Sequence, residues 1–142
     1  MDSGATWSEP RVLNTEPMAF APAIATDRNG GVAVAWPDER EYTTGIFANR
    51  SLDRGMTWFP KDVRVDEGEG GGLMANAVSA ASDGENGVVL VWEEQARQGR
   101  IVMSAVSKDR GTTWSKPVRI DDGKGRGAPL APRVVFAGAA PS

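Results

Sequence analysis

The sequence repeats itself with a spacing of 56 residues, and this spacing constrains the fold more than any other feature. Trp36 and Trp92 are 56 residues apart, and so are Trp58 and Trp114. The residues that lead to the second pair match closely: Ser51-Leu-Asp-Arg-Gly-Met-Thr-Trp58 against Ser107-Lys-Asp-Arg-Gly-Thr-Thr-Trp114. A truncated third copy, Ser3-Gly-Ala-Thr-Trp7, stands near the N-terminus. Repeats of this length indicate a chain built from similar supersecondary units.

Each repeat unit is predicted to contain four β-strands. The second strand, Val32 to Trp36 and Val88 to Trp92, is apolar at every position, which is typical of a strand buried on both faces. The fourth strand alternates, as in Val63-Arg-Val-Asp66, and its charges are typical of an outer edge. The remaining strands are predicted at Ala23–Thr26, Ala77–Ala81, Ile46–Arg50, Ile101–Val106 and Val118–Asp121.

Four-stranded units of this length are typical of the blades of a β-propeller. No segment has a sustained 3.6-residue period, so the expected fold class is all-β, with four-stranded antiparallel blades in an incomplete propeller. The expected organisation is an outer strand and linker of a split blade (1–20), two whole blades (21–72 and 73–128) and an inner strand of the split blade (129–142). Because a closed propeller typically has about four to eight blades, we expect the chain to self-associate into a ring or to belong to a longer propeller.

The pattern Ser-x-Asp-x-Gly-x-Thr-Trp resembles the Asp-box, or BNR repeat, of sialidases and related propellers. Two segments ahead of it resemble the corresponding segments of a broad bacterial group of sialidase-like exported proteins: Pro22-Ala-Ile-Ala25 and Trp36-Pro-Asp-Glu-Arg40. The resemblance spans nearly the whole chain and implies a sialidase-like propeller. It also implies a secreted or periplasmic location in bacteria, although no signal peptide is visible after Met1.

A structural role is expected for this motif. Asp53 can accept hydrogen bonds from turn N–H groups, Gly55 allows a positive φ, and Trp58 offers an apolar plate beneath the turn. In the families that it resembles, the Asp-box lies on the side of the propeller away from the active site. The residues assigned to the structural motif are Ser3, Gly4, Thr6, Trp7, Ser51, Asp53, Gly55, Thr57, Trp58, Ser107, Asp109, Gly111, Thr113 and Trp114.

The connections between the second and third strands, residues 37–44 and 93–100, form a candidate binding face because they are rich in acids and arginine. They are expected at the end of the blades opposite the motif. The possible ligand of this face is a glycan or a protein. The residues assigned to this face are Asp38, Glu39, Arg40, Tyr42, Glu93, Glu94, Arg97 and Arg100.

No catalytic residue is assigned. The sialidase resemblance implies three arginines on a substrate carboxylate, an aspartate as acid and base, and a tyrosine activated by a glutamate. Tyr42 has Glu41 as its direct neighbour, and adjacent side chains of an extended segment point to opposite faces. The chain has no His and no Cys, which excludes a Ser-His-Asp or Cys-His centre, disulfides and thiolate metal sites.

Other function classes are disfavoured by charge and spacing. A net charge of −3 with scattered arginines argues against nucleic-acid binding, and no apolar run is long enough to span a membrane. No metal or cofactor is assigned, since Asp27-Arg-Asn29 and Asp83-Gly-Glu85 lack the spacing of a calcium loop. The expected function is a non-catalytic scaffold or binding module. The alternatives are a fragment of a sialidase-type glycoside hydrolase and a carbohydrate- or protein-binding propeller.

Overall fold

The protein forms two antiparallel β-sheets of four strands each. The computed structural model describes residues 2–16, 18–40, 42–66, 74–96, 99–123 and 131–137, and in these ranges there is no helix that could span a membrane. In both sheets the strands are neighbours in the order of the chain. The first sheet contains β1 (Ala23–Thr26), β2 (Val32–Arg40), β3 (Thr43–Ser51) and β4 (Val63–Arg64). The second contains β5 (Ala75–Ser82), β6 (Val88–Ala96), β7 (Gly99–Ser107) and β8 (Val118–Arg119). The all-β fold class with four-stranded antiparallel sheets is confirmed.

The central strands are longer than the sequence pattern predicts. β2 pairs with β3 as far as Arg40 and Thr43, and β6 pairs with β7 as far as Ala96 and Gly99. The prediction of long loops over residues 37–44 and 93–100 is therefore wrong, since most of these residues are strand. Several of their charges are tolerated there because they are paired: Arg40 with Asp38 of the same strand and with Asp62, and Arg100 with Glu93 of the neighbouring strand.

Pro37 shows how this extension accommodates a residue without an N–H donor. Its carbonyl accepts a hydrogen bond from the N–H of Phe20 at 3.1 Å, on the side away from β3. In an antiparallel ladder the N–H and C=O of one residue point toward the same neighbour. The missing donor of Pro37 therefore removes no hydrogen bond between β2 and β3, and the strand continues through it.

The hydrophobic core lies between the two sheets, as two clusters of buried residues that share Ala80 and Trp114 as neighbours. The first sheet contributes small side chains, among them Ala35 and Ala48, whereas the second contributes Leu90 and the fully buried Trp92. Small residues on one face let the large residues of the other approach closely, which gives the dense packing typical of protein interiors. Burial between the sheets thus explains Val88, Leu90 and Trp92 of the apolar run of β6, whereas Val89 and Val91 lie on the opposite face of the strand.

The segments at either end of the described chain form no strand. The N–H of Val134 donates to Ser79 Oγ at 3.2 Å, and residues 131–137 are otherwise irregular. A strand four needs a strand three to pair with, and a strand one needs a strand two. Since the sequence holds only two copies of strands two and three, neither segment has its predicted strand partner. Their assignment to a split blade stays a prediction.

Replacing Leu90 by Ala tests the shared core. Leu90 is 1 % exposed, so the truncation should leave a cavity between the sheets and lower the free energy of unfolding by about 2–5 kcal/mol. Urea denaturation followed by tryptophan fluorescence measures this change. Val12→Ala is the matched control, because Val12 is 81 % exposed and its loss should change stability by less than about 0.5 kcal/mol. Equal effects of the two substitutions would contradict a core at this interface.

Candidate functional site

The sheets have two chemically different ends. The N–H of Arg54 donates to the carbonyl of Gly30 at 2.7 Å, and the N–H of Arg110 donates to that of Asn86 at 2.9 Å. The turn after the third strand of each sheet therefore lies beside the turn after the first strand. We call this the turn end. The β2–β3 and β6–β7 hairpins lie at the other end of the strands, which we call the hairpin end.

At the turn end, the first copy of the eight-residue motif is held by its own side chains. Asp53 Oδ1 accepts from the N–H of Thr57 at 2.8 Å, and Asp53 Oδ2 accepts from Thr57 Oγ1 at 2.5 Å. The buried Ser51 Oγ donates to Asp53 and accepts from the N–H of Gly55 at 2.8 Å. Trp58 Nε1 closes the turn on the carbonyl of Gly55 at 3.1 Å. The polar side-chain groups of Ser51, Asp53, Thr57 and Trp58 all form hydrogen bonds inside the turn.

The second copy repeats this geometry. Asp109 accepts from the N–H of Thr113 at 2.8 Å and from its hydroxyl at 2.5 Å, while Ser107 Oγ accepts from the N–H of Gly111 at 2.8 Å. Trp114 packs against the shared core, and among the described residues its buried Nε1 has no hydrogen-bond partner. The second copy thus contributes to the interface between the sheets as well as to its own turn.

The third copy uses a residue that the sequence comparison missed. Asp2 accepts a hydrogen bond from Thr6 Oγ1, and its carbonyl accepts from the N–H of Ala5. Ser3 instead has a φ of 55° and takes the place of Arg54, whose φ is 63°. The signal was present in the sequence, because a carboxylate stands five residues before the tryptophan in all three copies.

The carboxylates of the two complete motifs are held in the charged form. Hydrogen bonds from the hydroxyl and N–H of Thr57 and from Ser51 lower the pKa of Asp53 to about 2. Burial acts to raise the pKa of Asp109, but hydrogen bonds from Thr113 and Ser107 outweigh it and the pKa is lowered. A group ionised throughout the neutral range is a poor proton donor. The geometry therefore fits the structural role expected for Asp53 and Asp109.

An ion pair at the turn end joins the two sheets, which we call the clasp. Arg110 Nε donates to Asp27 Oδ2 at 2.6 Å, and a second nitrogen of the guanidinium lies 3.2 Å from Oδ1. Asp27 Oδ1 also accepts from the N–H groups of Asn29 and Gly31, which shape the β1–β2 turn. Burial acts to raise the pKa of Asp27, yet Arg110 and these N–H groups lower it overall. The clasp thus links the motif turn of one sheet to the β1–β2 turn of the other.

At the hairpin end of the first sheet, Arg40 occupies the centre of a partly buried charge cluster. Its guanidinium lies 2.8 Å from both Asp38 and Asp62, and it stacks on Phe47 at 3.6 Å from the ring centroid. Asp38 is fully buried, and its Oδ2 also accepts from Trp36 Nε1 at 3.2 Å. Burial acts to lower the pKa of Arg40, but the hydrogen bonds that Arg40 donates to Asp62 and Asp38 outweigh it and the pKa is raised.

The second sheet has a related but different arrangement at its hairpin end. Trp92 Nε1 donates to Glu94 Oε2 at 3.3 Å, as Trp36 does to Asp38, whereas Arg100 pairs with the buried Glu93 at 2.6 Å. Burial raises the pKa of Glu94, and the nearby charge of Asp66 adds to this effect. The tryptophan-to-carboxylate bond recurs in both sheets, while the position of the arginine changes.

The candidate binding face is only partly available to a ligand. Asp38 and Glu93 are buried in ion pairs, Glu94 is half-buried and Arg40 is enclosed by two aspartates. The exposed members are Glu39, Tyr42 and Arg100, and Tyr42 is 98 % exposed.

One residue of the predicted face, Arg97, lies outside the described residues. So does Glu41, the neighbour of Tyr42. Among the residues that the structure does describe, no group of three carboxylates is arranged to hold a metal ion.

The fold is similar to that of a known enzyme, although no protein-family model matches the chain. The Hadza microbial sialidase Hz136 superposes with a TM-score of 0.62 at 17% sequence identity. The similarity covers 72% of this chain and 26% of the sialidase, so the chain spans about a quarter of that protein's length. At this identity the likeness shows a shared fold.

The lowered pKa of Asp53 predicts how acid acts on the motif turn. A carboxyl whose pKa is lower in the folded state stabilises the fold above its unfolded value and loses that contribution as the pH falls. Stability should therefore drop between about pH 4 and pH 2. In Asp53→Asn this part of the pH dependence should disappear, as measured by urea midpoints at pH 7, 4 and 2.5. Glu9→Gln is the control, and an unchanged pH profile in Asp53→Asn would contradict this role.

Removing the arginine of the clasp should weaken the interface between the sheets. Arg110→Ala leaves Asp27 without its cation and should lower the free energy of unfolding by about 1–3 kcal/mol. Lys108→Ala removes an exposed cation from the same turn. Lys108 forms no ion pair with any described residue, so this change should lower the free energy of unfolding by less than about 0.5 kcal/mol. Thermal unfolding at matched protein concentration compares the two. If both variants unfold like the unsubstituted protein, the clasp contributes nothing.

Proposed function

We propose that this chain is a non-catalytic scaffold or binding module made of Asp-box β-propeller blades. Three motif turns with a shared carboxylate geometry and two sheets packed face to face support this proposal. In it, residues 21–72 and 73–128 are two whole blades, and residues 1–20 and 129–142 are the outer and inner strands of a third. Further blades come from self-association or from the remainder of a longer propeller.

The observation that carries the non-catalytic part is the pairing of arginines at the hairpin end. The four arginines that the structure describes on strands of this end each contact a carboxylate of their own sheet within 2.8 Å: Arg40, Arg64, Arg100 and Arg119. A sialidase-type centre would need arginine forks free to bind a substrate carboxylate in a bidentate manner. Here these guanidinium groups are already engaged within the protein.

A second candidate function is recognition of a carbohydrate or protein at the hairpin end. It is favoured by Tyr42, which stands at the tip of the β2–β3 hairpin with 98 % of its surface exposed. Tyrosine combines a flat apolar ring with a hydroxyl, which suits it to contacts that are both apolar and polar. Binding on a glycan array that is lost in Tyr42→Ala would favour this candidate over a pure scaffold.

The remaining alternative is a fragment of a sialidase-type glycoside hydrolase, which a fluorogenic sialoside tests directly. We expect no turnover above the buffer rate, while an active sialidase in the same assay reports the sensitivity. Turnover that is abolished in Arg40→Ala or Arg97→Ala, with folding checked by circular dichroism, would overturn the non-catalytic proposal. Lys108→Ala, which removes an exposed cation at the turn end, is the control and should leave any such turnover unchanged.

A further inference from the structure

The interface between the two sheets is asymmetric, because each sheet uses a different face. We call the face that the first sheet uses its back face and the face that the second sheet uses its front face. The back face of the first sheet consists mainly of small residues: Ala23, Ala25, Ala33, Ala35, Ile46 and Ala48. The front face of the second sheet carries larger ones: Val78, Val88, Leu90, Trp92, Met103 and Trp114.

The outer faces of the molecule repeat these two halves. The front face of the first sheet has Ile24 and Val34 where the second sheet has Ala80 and Leu90, and Ile24 is 63 % exposed. The back face of the second sheet again carries small and medium residues at the repeat positions: Ser79, Ala81, Val89, Val91, Val102 and Ser104. The two outer faces of the molecule thus match the two faces that the sheets already pack together inside it.

The outer faces also carry the two halves of a clasp. Arg54 is the repeat equivalent of Arg110, and its guanidinium forms no ion pair with any residue that the structure describes. Asp83 is the equivalent of Asp27, and in the described chain its carboxylate accepts only the backbone N–H groups of Glu85 and Gly87. Both side chains are exposed. Their charges are opposite, and each lies on the face that faces outward.

We propose that the front face of the first sheet docks on the back face of the second sheet in another copy of this chain. Arg54 of one copy then binds the partner's Asp83, as Arg110 binds Asp27 within each chain. This inference rests on the self-association in the proposed function and names its contact, with one difference: direct docking of the two faces leaves no space between copies for a third blade built from residues 1–20 and 129–142. Such a contact joins two different surfaces, so copies add head to tail and form a ring if the rotation closes.

Two irregular segments lie on these faces in the single chain. Arg11, Val12, Leu13 and Phe20 line a groove on the front face together with Val34 and Trp36. On the back face, Val134 donates to Ser79 Oγ. Neither segment is part of a sheet strand. Docking moves them toward the rim of the interface and breaks the hydrogen bonds that hold them, among them those from the N–H of Phe20 to the carbonyl of Pro37 and from Thr15 to Asp62.

Reversing the charges of the proposed contact tests it. Arg54→Asp brings two carboxylates together, and Asp83→Arg brings two guanidinium groups together. Like charges face to face oppose association, so each variant alone should raise the dissociation constant at least about tenfold. An equimolar mixture of the two variants, and the chain that carries both substitutions, should associate again. Sedimentation velocity over a range of concentrations measures all of these. Position 54 has a positive φ, which Asp tolerates better than most residues.

The controls separate the contact from the proposed function. Lys108→Asp makes the same charge change at an exposed position away from the outer faces and should associate like the unsubstituted chain. If the unsubstituted chain stays monomeric throughout, self-association fails and this inference with it. If it associates and the single variants associate equally well, or if the mixture does not recover, the Arg54–Asp83 contact is wrong and self-association stands. Asp83→Asn keeps the acceptor for the β5–β6 turn, so weakened association in this variant supports the contact even if Asp83→Arg does not fold.

Discussion

Each complete sheet depends on one carboxylate that organises the turn after its third strand. The carboxylates of Asp53 and Asp109 each accept hydrogen bonds from the hydroxyl and the N–H of one threonine and from the hydroxyl of a buried serine. This arrangement brings the chain through a left-handed residue, Arg54 or Arg110, and returns it toward the fourth strand. A turn fixed in this way directs two further side chains: the tryptophan toward the sheet and the arginine outward.

The outward arginine explains why the sheets meet as they do. Arg110 reaches Asp27, and Asp27 already holds its own turn through two N–H groups. The clasp therefore joins two rigid turns, and the small-to-large packing of Ala35 and Leu90 aligns the strands below it. Electrostatic contact at one end and apolar packing along the strands thus act on the same interface. At the hairpin end Arg40 and Arg100 are instead paired within their own sheets, and Tyr42 is 98 % exposed.

Much of the fold could be predicted from the sequence because its signals are local and repeated. The apolar run of β6 and the spacing of the tryptophans indicate strands, turns and their order without any distant contact. The extension of β2 to Arg40 could not be predicted in this way, since a run of acids and arginine reads as a loop unless its partners are known. Asp62, whose carboxylate pairs with Arg40 of that run, lies on another part of the chain.

The site was harder to predict than the fold for the same reason. Burial of Asp38 and Glu93 follows from packing against neighbouring strands, and the clasp joins residues that are 83 positions apart. Asp2 was missed because Ser3 was taken for the leading serine of the motif, although it follows the aspartate.

The clasp has a consequence for how such a chain can change in length. Each repeat carries both halves of the contact, an arginine for the sheet before it and an aspartate for the sheet after it. A duplicated 56-residue unit would therefore arrive with its connections already encoded, and its neighbours would need no new residues to receive it. Nearest-neighbour contacts of this kind make the stability of a repeat protein a sum over units and the joints between them. The number of units is then free to vary under duplication and loss, while the chemistry of each joint stays the same.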